Sequence, residues 1–362
     1  MKIHASFPSV TLVLVSMTLA AAPGCSSPEG DDLGSGGSVN PSSGGALVSS
    51  GGSANGTGGA VTSSGGSANG TGGIAISTGG TPNNASGGSP NNASGGSDNT
   101  GGDEVEPSTG CGQAAPAAGN ATIDVDGLSR EYILALPENY DPEKPYRLVF
   151  TWHPWGGSAQ QVAGNGPNGY YGLLGASEGE AILVSPEGLD FGGNGLGWGN
   201  ENGQDIAFLN AMMERFDAEL CFDHNRVFST GFSFGGMMSN AVACSGLARA
   251  VAPMAGNSTV SGCANGTQPV AYMGFHGTND TVVSLSGGEA ARDVFIERNG
   301  CGTATPSDSN WCELAGGNYA PCECTTYEGC TEGYPVTWCE YNGSHMVAPS
   351  SGQTIWDFFA QF

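Results

Sequence analysis

Residues 111–362 are predicted to form an α/β domain, a mostly parallel central sheet flanked by helices. Three observations predict it. Short apolar runs alternate with stretches of helical spacing along this part of the chain. The run "YRLVFTWH" at 146–153 is nearly continuous, as in a strand buried on both faces. The first third of the chain supplies almost no such material, so the core must lie beyond it.

The opening segment, 1–25, carries Lys2, an apolar run from Val10 to Ala22 and small residues before Cys25, the layout of a secretory signal. It is too short and wrongly flanked for a membrane-spanning helix. The "AAPGC" ending resembles a lipobox, which would make Cys25 the lipidated first residue, although Pro23 departs from the commonest pattern. Ordinary cleavage near Ala22, leaving Cys25 as a stray thiol, is the competing reading. Both readings export the protein.

From 26 to 110 the chain is almost wholly Gly, Ser, Asn, Thr and Ala, with seven acidic residues, no basic ones and no aromatics. Its two short repeats, "SSGGSANGTGG" and "PNNASGG", have no apolar face on which to stack, so they predict a disordered tether rather than a solenoid. Such a coil averages roughly 50 Å end to end.

Within the domain, "ATIDVDG" and "REYILALP" alternate as an antiparallel pair ahead of the 146–153 strand. Then follow a strand at 181–188, a helix at 203–220, the strand "RVFSTGF", the helix "GGMMSNAVAC", and the strands "RAVAPMAG" and "PVAYMGFHG". A helix at "GGEAARDVFIERNG", a strand at "YPVTWCEYNG" and a closing helix at "GQTIWDFFAQF" complete the succession. In sheets of this kind functional residues sit just after the strands.

Eleven cysteines are present, and with Cys25 set aside ten remain, all from Cys111 onward. An even count in an exported domain predicts five disulfides, with pairing left open. Six of the ten lie between Cys301 and Cys339, which predicts a disulfide-rich insertion before the last strand. A zinc cluster is the alternative; the spacings make no CxxC pair and export favours oxidation, so no metal is expected. With Lys2 and the seven acids of 26–110 set aside, 27 acids and eight basic residues remain, a formal net charge of −19. That surface repels phosphate backbones, which argues against a nucleic-acid partner.

Two segments fit the glycine–serine–glycine spacing of a nucleophile elbow, "GASEG" around Ser177 and "GFSFG" around Ser233. With 63 glycines the spacing alone means little. Ser177 precedes a strand at the end of a helix, whereas Ser233 follows a strand and opens a helix, as an elbow requires. A serine nucleophile needs a base, and the order Ser, acid, His along the chain selects His345, with Asp280 in the loop after "PVAYMGFHG" as its orienting acid. His276 reads instead as a packed strand-end histidine. Oxyanion donors are expected from the Phe234 N–H and from the "HPWGGS" loop, with Trp155 first and Gly156 next. "GNGPNG" at 164–169 fits a dinucleotide pattern, but it follows no strand and places Pro167 where a helix should begin. No cofactor is expected.

With these residues placed, the whole of 110–362 resembles the feruloyl esterases and the related polyhydroxybutyrate-depolymerase-like enzymes among the family-one carbohydrate esterases. The resemblance runs in order through "GCGQAAP", "SREYILALPENYDPEKPYRLVF", "HPWGGS", "GWGNENGQDIAFLNAM", "VFSTGFSFGGMMSNAVAC", "FHGTNDTVV", "RDVFIERNGC", "GYPVTWCEYNGSHMVAP" and "IWDFFAQF". It implies an α/β-hydrolase fold and a serine esterase releasing hydroxycinnamates such as ferulate from plant cell-wall arabinoxylan. By position it implies Ser233 as nucleophile, His345 as base, Asp280 as its orienter, Trp155 and Phe234 as oxyanion donors, and Trp155 and Trp198 against an aromatic acyl group. A polyester or acetylated polysaccharide is the alternative substrate. A binding module on an inactive hydrolase fold is the alternative from another class, and membrane contact is expected only through a lipid on Cys25.

Overall fold

The structure, a computed structural model, describes residues 104–362 except 165, 191, 192, 194, 259–267, 308–310 and 313–318. All belong to the compact unit Pro90–Phe362. The signal segment with Cys25, the tether as far as 103, and Cys263 lie outside the described residues.

The chain enters through the hairpin β1 (Gly119–Val125) and β2 (Leu128–Ala135), turned by Asp126 and Gly127, both at positive φ as a tight two-residue hairpin turn requires. β3 (Tyr146–Trp152) and β4 (Ala181–Pro186) are almost entirely buried. Between them lie the short helices α1 (Ala159–Ala163) and α2 (Leu173–Ala176). A small hairpin, β5 (Leu189–Asp190) and β6 (Leu196–Gly197), precedes α3 (Gln204–Glu219), β7 (Phe222–Phe232) and α4 (Phe234–Ser245). β8 (Ala250–Met254), β9 (Ala271–Gly277), α5 (Leu285–Arg298), β10 (Ala304–Ser307), β11 (Cys322–Tyr327), β12 (Val336–Tyr341) and α6 (Ser351–Phe359) complete the chain.

The main sheet runs β1-β2-β4-β3-β7-β8-β9-β12-β11-β10. The six strands from β4 to β12 are parallel, and both margins are antiparallel. This is the predicted α/β succession. Alternate residues of β3 divide the core: Leu148, Phe150 and Trp152 pack with α3, α4 and α5, while Val149 packs with α1, α2 and α6. From β3 the chain goes to β4 on one side, then crosses to β7 on the other. The carboxyl ends of β3 and β7 therefore flank the switch point where such sheets hold ligands.

One expectation changes. The folded part begins before 111: Ser108 is buried, donates its hydroxyl to Leu220 O at 2.5 Å and accepts the Phe222 N–H at 2.9 Å, while Pro107 bridges to Asp223. The disulfide-rich insertion lies before the last strand as expected and extends the sheet, because β11 pairs with β12 and β10 pairs with β11. Its six cysteines form Cys301–Cys330, Cys312–Cys322 and Cys324–Cys339, the last directly across the β11–β12 register. Cys111–Cys221 ties the start of the domain to the start of β7, and Cys244 is also disulfide-bonded. Such bonds fit an oxidising compartment.

Candidate active site

β7 carries its chain out of the sheet into α4 through Ser233, whose φ of 58° and ψ of −117° lie outside the regions open to most L-residues. The turn closes so tightly that a Cβ on Gly235 would stand 2.0 Å from the Trp152 carbonyl oxygen, and one on Gly231 2.5 Å from Gly235 O. Only glycine fits either position. The Ser233 N–H donates to Met254 O at 2.9 Å, fastening the turn to β8. Phe234 opens α4, where first-turn N–H groups face outward and favour negative charge.

β9 ends at Gly277, and the following turn places Asp280, whose Oδ1 accepts the N–H groups of Val282 and Val283, each at 2.9 Å. Its Oδ2 accepts the Nδ1–H of His345 at 2.7 Å. His345, in the loop after β12, takes the Ser233 hydroxyl proton donation at Nε2, 2.8 Å from Oγ. Phe232 packs on the His345 ring at 4.8 Å between centroids. The structure thus brings Ser233, His345 and Asp280 into one hydrogen-bonded chain. Ser177 stands apart at the end of α2, buried, with its N–H bonded to Leu173 O at 2.9 Å.

The β3 loop is held from behind. His153 is fully buried, accepts the Gly188 N–H at Nε2 (2.9 Å) and so donates from Nδ1 to Pro154 O at 2.7 Å. Burial pushes its pKa down to about 4, against the opposing pull of the Pro154 carbonyl. The Gly156 N–H is spent on Leu196 O at 2.8 Å, which removes it as an oxyanion donor; the Trp155 N–H meets no acceptor among the described residues. Trp155 itself is 57% exposed, and Val282 and Val347 are exposed as well.

Trp198 corrects an expectation. It has 0% exposure, donates its indole N–H to His153 O at 2.8 Å and packs edge-on to Trp152, so it supports the β3 loop from the core and offers no surface to an acyl group. Two contributors were missed from sequence: His153 as the loop's clamp, and His276, which packs in the core as expected but does so against Asp280, its Nε2 3.5 Å from Oδ2. The four-residue spacing in "HGTND" carried that signal.

A cavity of about 630 Å³ is walled by Pro154, Gln161, Tyr171, Phe232, Val347 and Gln353 among others; Ser233, His345 and Asp280 do not line it, and Phe232, which packs on the His345 ring, is the wall that connects it to them. Its described lining residues are all uncharged, in a domain of formal charge −19. A neutral ligand with apolar faces and hydroxyl groups suits such walls better than an anion does.

No protein-family model matches the chain. Feruloyl esterase D of Neurospora crassa is 39% identical over 276 residues, which span 71% of this chain and 91% of that protein. Feruloyl esterase C of Emericella nidulans is 40% identical over 261 residues, 70% of this chain and 90% of that one. Among solved structures, an acetyl xylan esterase from Aspergillus awamori aligns with a TM-score of 0.50 over 67% of this chain and 98% of its own, at 15% identity, a likeness of fold alone. On the strength of these extensive identities, carried by a chain with the α/β-hydrolase sheet and elbow described above, the protein belongs to the feruloyl esterase family.

Proposed function

We propose that this serine esterase cleaves hydroxycinnamate esters of plant cell-wall polysaccharide through an acyl-enzyme on Ser233. The observation that carries this reading is the Ser233–His345–Asp280 chain, with contacts of 2.8 and 2.7 Å. As the Ser233 oxygen attacks the ester carbonyl, its proton passes to His345 Nε2, and Asp280 stabilises the imidazolium that forms. The developing oxyanion turns toward the Trp155 and Phe234 N–H groups. His345 then returns its proton to the leaving alcohol, and water repeats the sequence on the acyl-enzyme. The uncharged groove and the exposed Trp155 ring suit an aromatic acyl group and a neutral sugar.

The same reading assigns export through 1–25, a lipid on Cys25 and a tether over the Gly/Ser/Asn-rich stretch, holding the esterase off a membrane surface. The disulfides support the exported state.

The full chain is expected to release ferulate from methyl ferulate and from feruloylated arabinoxylan fragments, and Ser233→Ala to lose at least about a thousandfold in kcat. Preference for 3-hydroxybutyrate oligomers or acetylated xylan in the same panel reassigns the substrate. An unchanged rate in Ser233→Ala overturns the mechanism.

A further inference from the structure

His276, the penultimate residue of β9, is fully buried, with 0% exposure, four residues before Asp280. Its Nε2–H donates to Val283 O at 2.9 Å. The same nitrogen stands 3.5 Å from Asp280 Oδ2, the oxygen that also holds His345. Val283 in turn donates its N–H to Asp280 Oδ1 at 2.9 Å. The carboxylate, the Val283 peptide and the imidazole therefore close one ring of contacts around the 280–283 turn.

The other ring nitrogen is the puzzle. His276 Nδ1 is buried with no hydrogen-bond partner among the described residues. Leaving a buried nitrogen unpaired is costly, and an aliphatic side chain of similar volume would fill the space without that loss. Packing nonetheless presses against it: a Cβ on Gly288 of α5 would come 2.3 Å from Nδ1, so only glycine leaves room for the ring. Trp338 stacks on the imidazole at 5.8 Å and 30°.

Resting on the reading of Ser233, His345 and Asp280 given above, we propose that His276 is a positioning residue: a neutral imidazole that locks the Asp280 turn so that Oδ2 faces His345. Neutrality is part of the function. A charged His276 would claim the carboxylate's negative charge, which His345 needs when it becomes imidazolium. The interior opposes that charge: burial holds the His276 pKa below the ordinary range, and the His345 charge adds to this, while the Val283 carbonyl, Asp280 and Glu340 pull the other way. With no acceptor at Nδ1, a second proton finds no partner. The unpaired nitrogen is thus what keeps the ring a donor at Nε2 alone.

Two variants of the full chain separate this role from simple packing. His276→Gln keeps a neutral donor near the Nε2 position, whereas His276→Leu fills the space and removes it. On methyl ferulate, His276→Gln is expected to keep kcat within about threefold of the parent, and His276→Leu to lose about thirtyfold or more in kcat with KM changed by less than about twofold. The downfield proton resonance of the His345 Nδ1–H, bonded to Asp280, is expected to persist in the Gln variant and to broaden or vanish in the Leu variant. Should the Leu variant not fold, Gly288→Ala, which keeps the imidazole and drives it off its seat, carries the same expectations. Leu retaining the parental kcat overturns the proposal. So does an equal loss in Leu and Gln with the resonance intact in both, the signature of packing alone. Ser233→Ala, run alongside, keeps the two readings apart: if it is inactive while His276→Leu is not, only this inference fails.

Discussion

As the proposed nucleophile, Ser233 depends on three neighbours that cannot be exchanged freely. The glycines at 231 and 235 permit its strained backbone, and His345 stands 2.8 Å from its hydroxyl. Asp280 fixes which nitrogen of His345 carries the proton. Asp280→Asn would set an amide donor against the Nδ1–H or force the other tautomer, leaving no acceptor for the serine proton. We expect kcat on methyl ferulate to fall by about ten-thousandfold; a fall of less than about tenfold would show that His345 is oriented by something else. At this scale sequence was informative where chemistry imposes an order along the chain. Ser233, Asp280 and His345 could be singled out by their places after strands, and the false elbow at Ser177 set aside in the same way. Trp198, His153 and Gly156 were opaque, because their roles depend on distant backbone: the Gly188 N–H just before β5 for His153, the Leu196 carbonyl of β6 for Gly156, and the His153 carbonyl for Trp198.

Among the elements, the parallel strands were legible because burial on both faces demands continuous apolar runs, as in β3 and β4. β10 and β11 were not. "CECTTY" carries no apolar pattern, and it is fastened by Cys324–Cys339 and Cys312–Cys322 as well as by pairing. The two-residue strands β5 and β6 left no periodic trace, yet the β3 loop is buttressed there: Leu196 of β6 accepts the Gly156 N–H, and Gly188, just before β5, donates to His153. That buttress has a pH signature. The folded His153 holds its pKa at about 4 against an ordinary 6.5, so below 6.5 the unfolded chain binds a proton that the folded chain refuses. Stability is therefore expected to fall between pH 6.5 and 4 by about 3 kcal/mol from this group, with His276 acting in the same direction. Denaturant titrations at several pH values would show the slope, and His153→Asn, which can still donate to Pro154 O, should flatten it. An unchanged slope in that variant would mean that His153 titrates normally.

For the molecule as a whole, topology and charge point to one place. The order of strands puts the switch point between β3 and β7, and the loops leaving them carry Trp155 and Ser233. A domain of formal charge −19 keeps an uncharged cavity of about 630 Å³ behind Phe232, the residue that packs on His345, and such walls suit a neutral ligand better than an anionic one. The disulfides add stability that does not depend on enlarging the core; Cys111–Cys221 alone closes a separation of 110 residues in the unfolded chain. All of this supports Ser233 as the proposed nucleophile. Its most direct test is stoichiometric labelling with an aryl phosphonate ester, followed by peptide mass analysis alongside residual esterase activity. One adduct per chain on the peptide carrying Ser233, with activity falling in step, is the expected result. An adduct on Ser177 or any other residue, or full activity after Ser233 is labelled, would contradict the central claim.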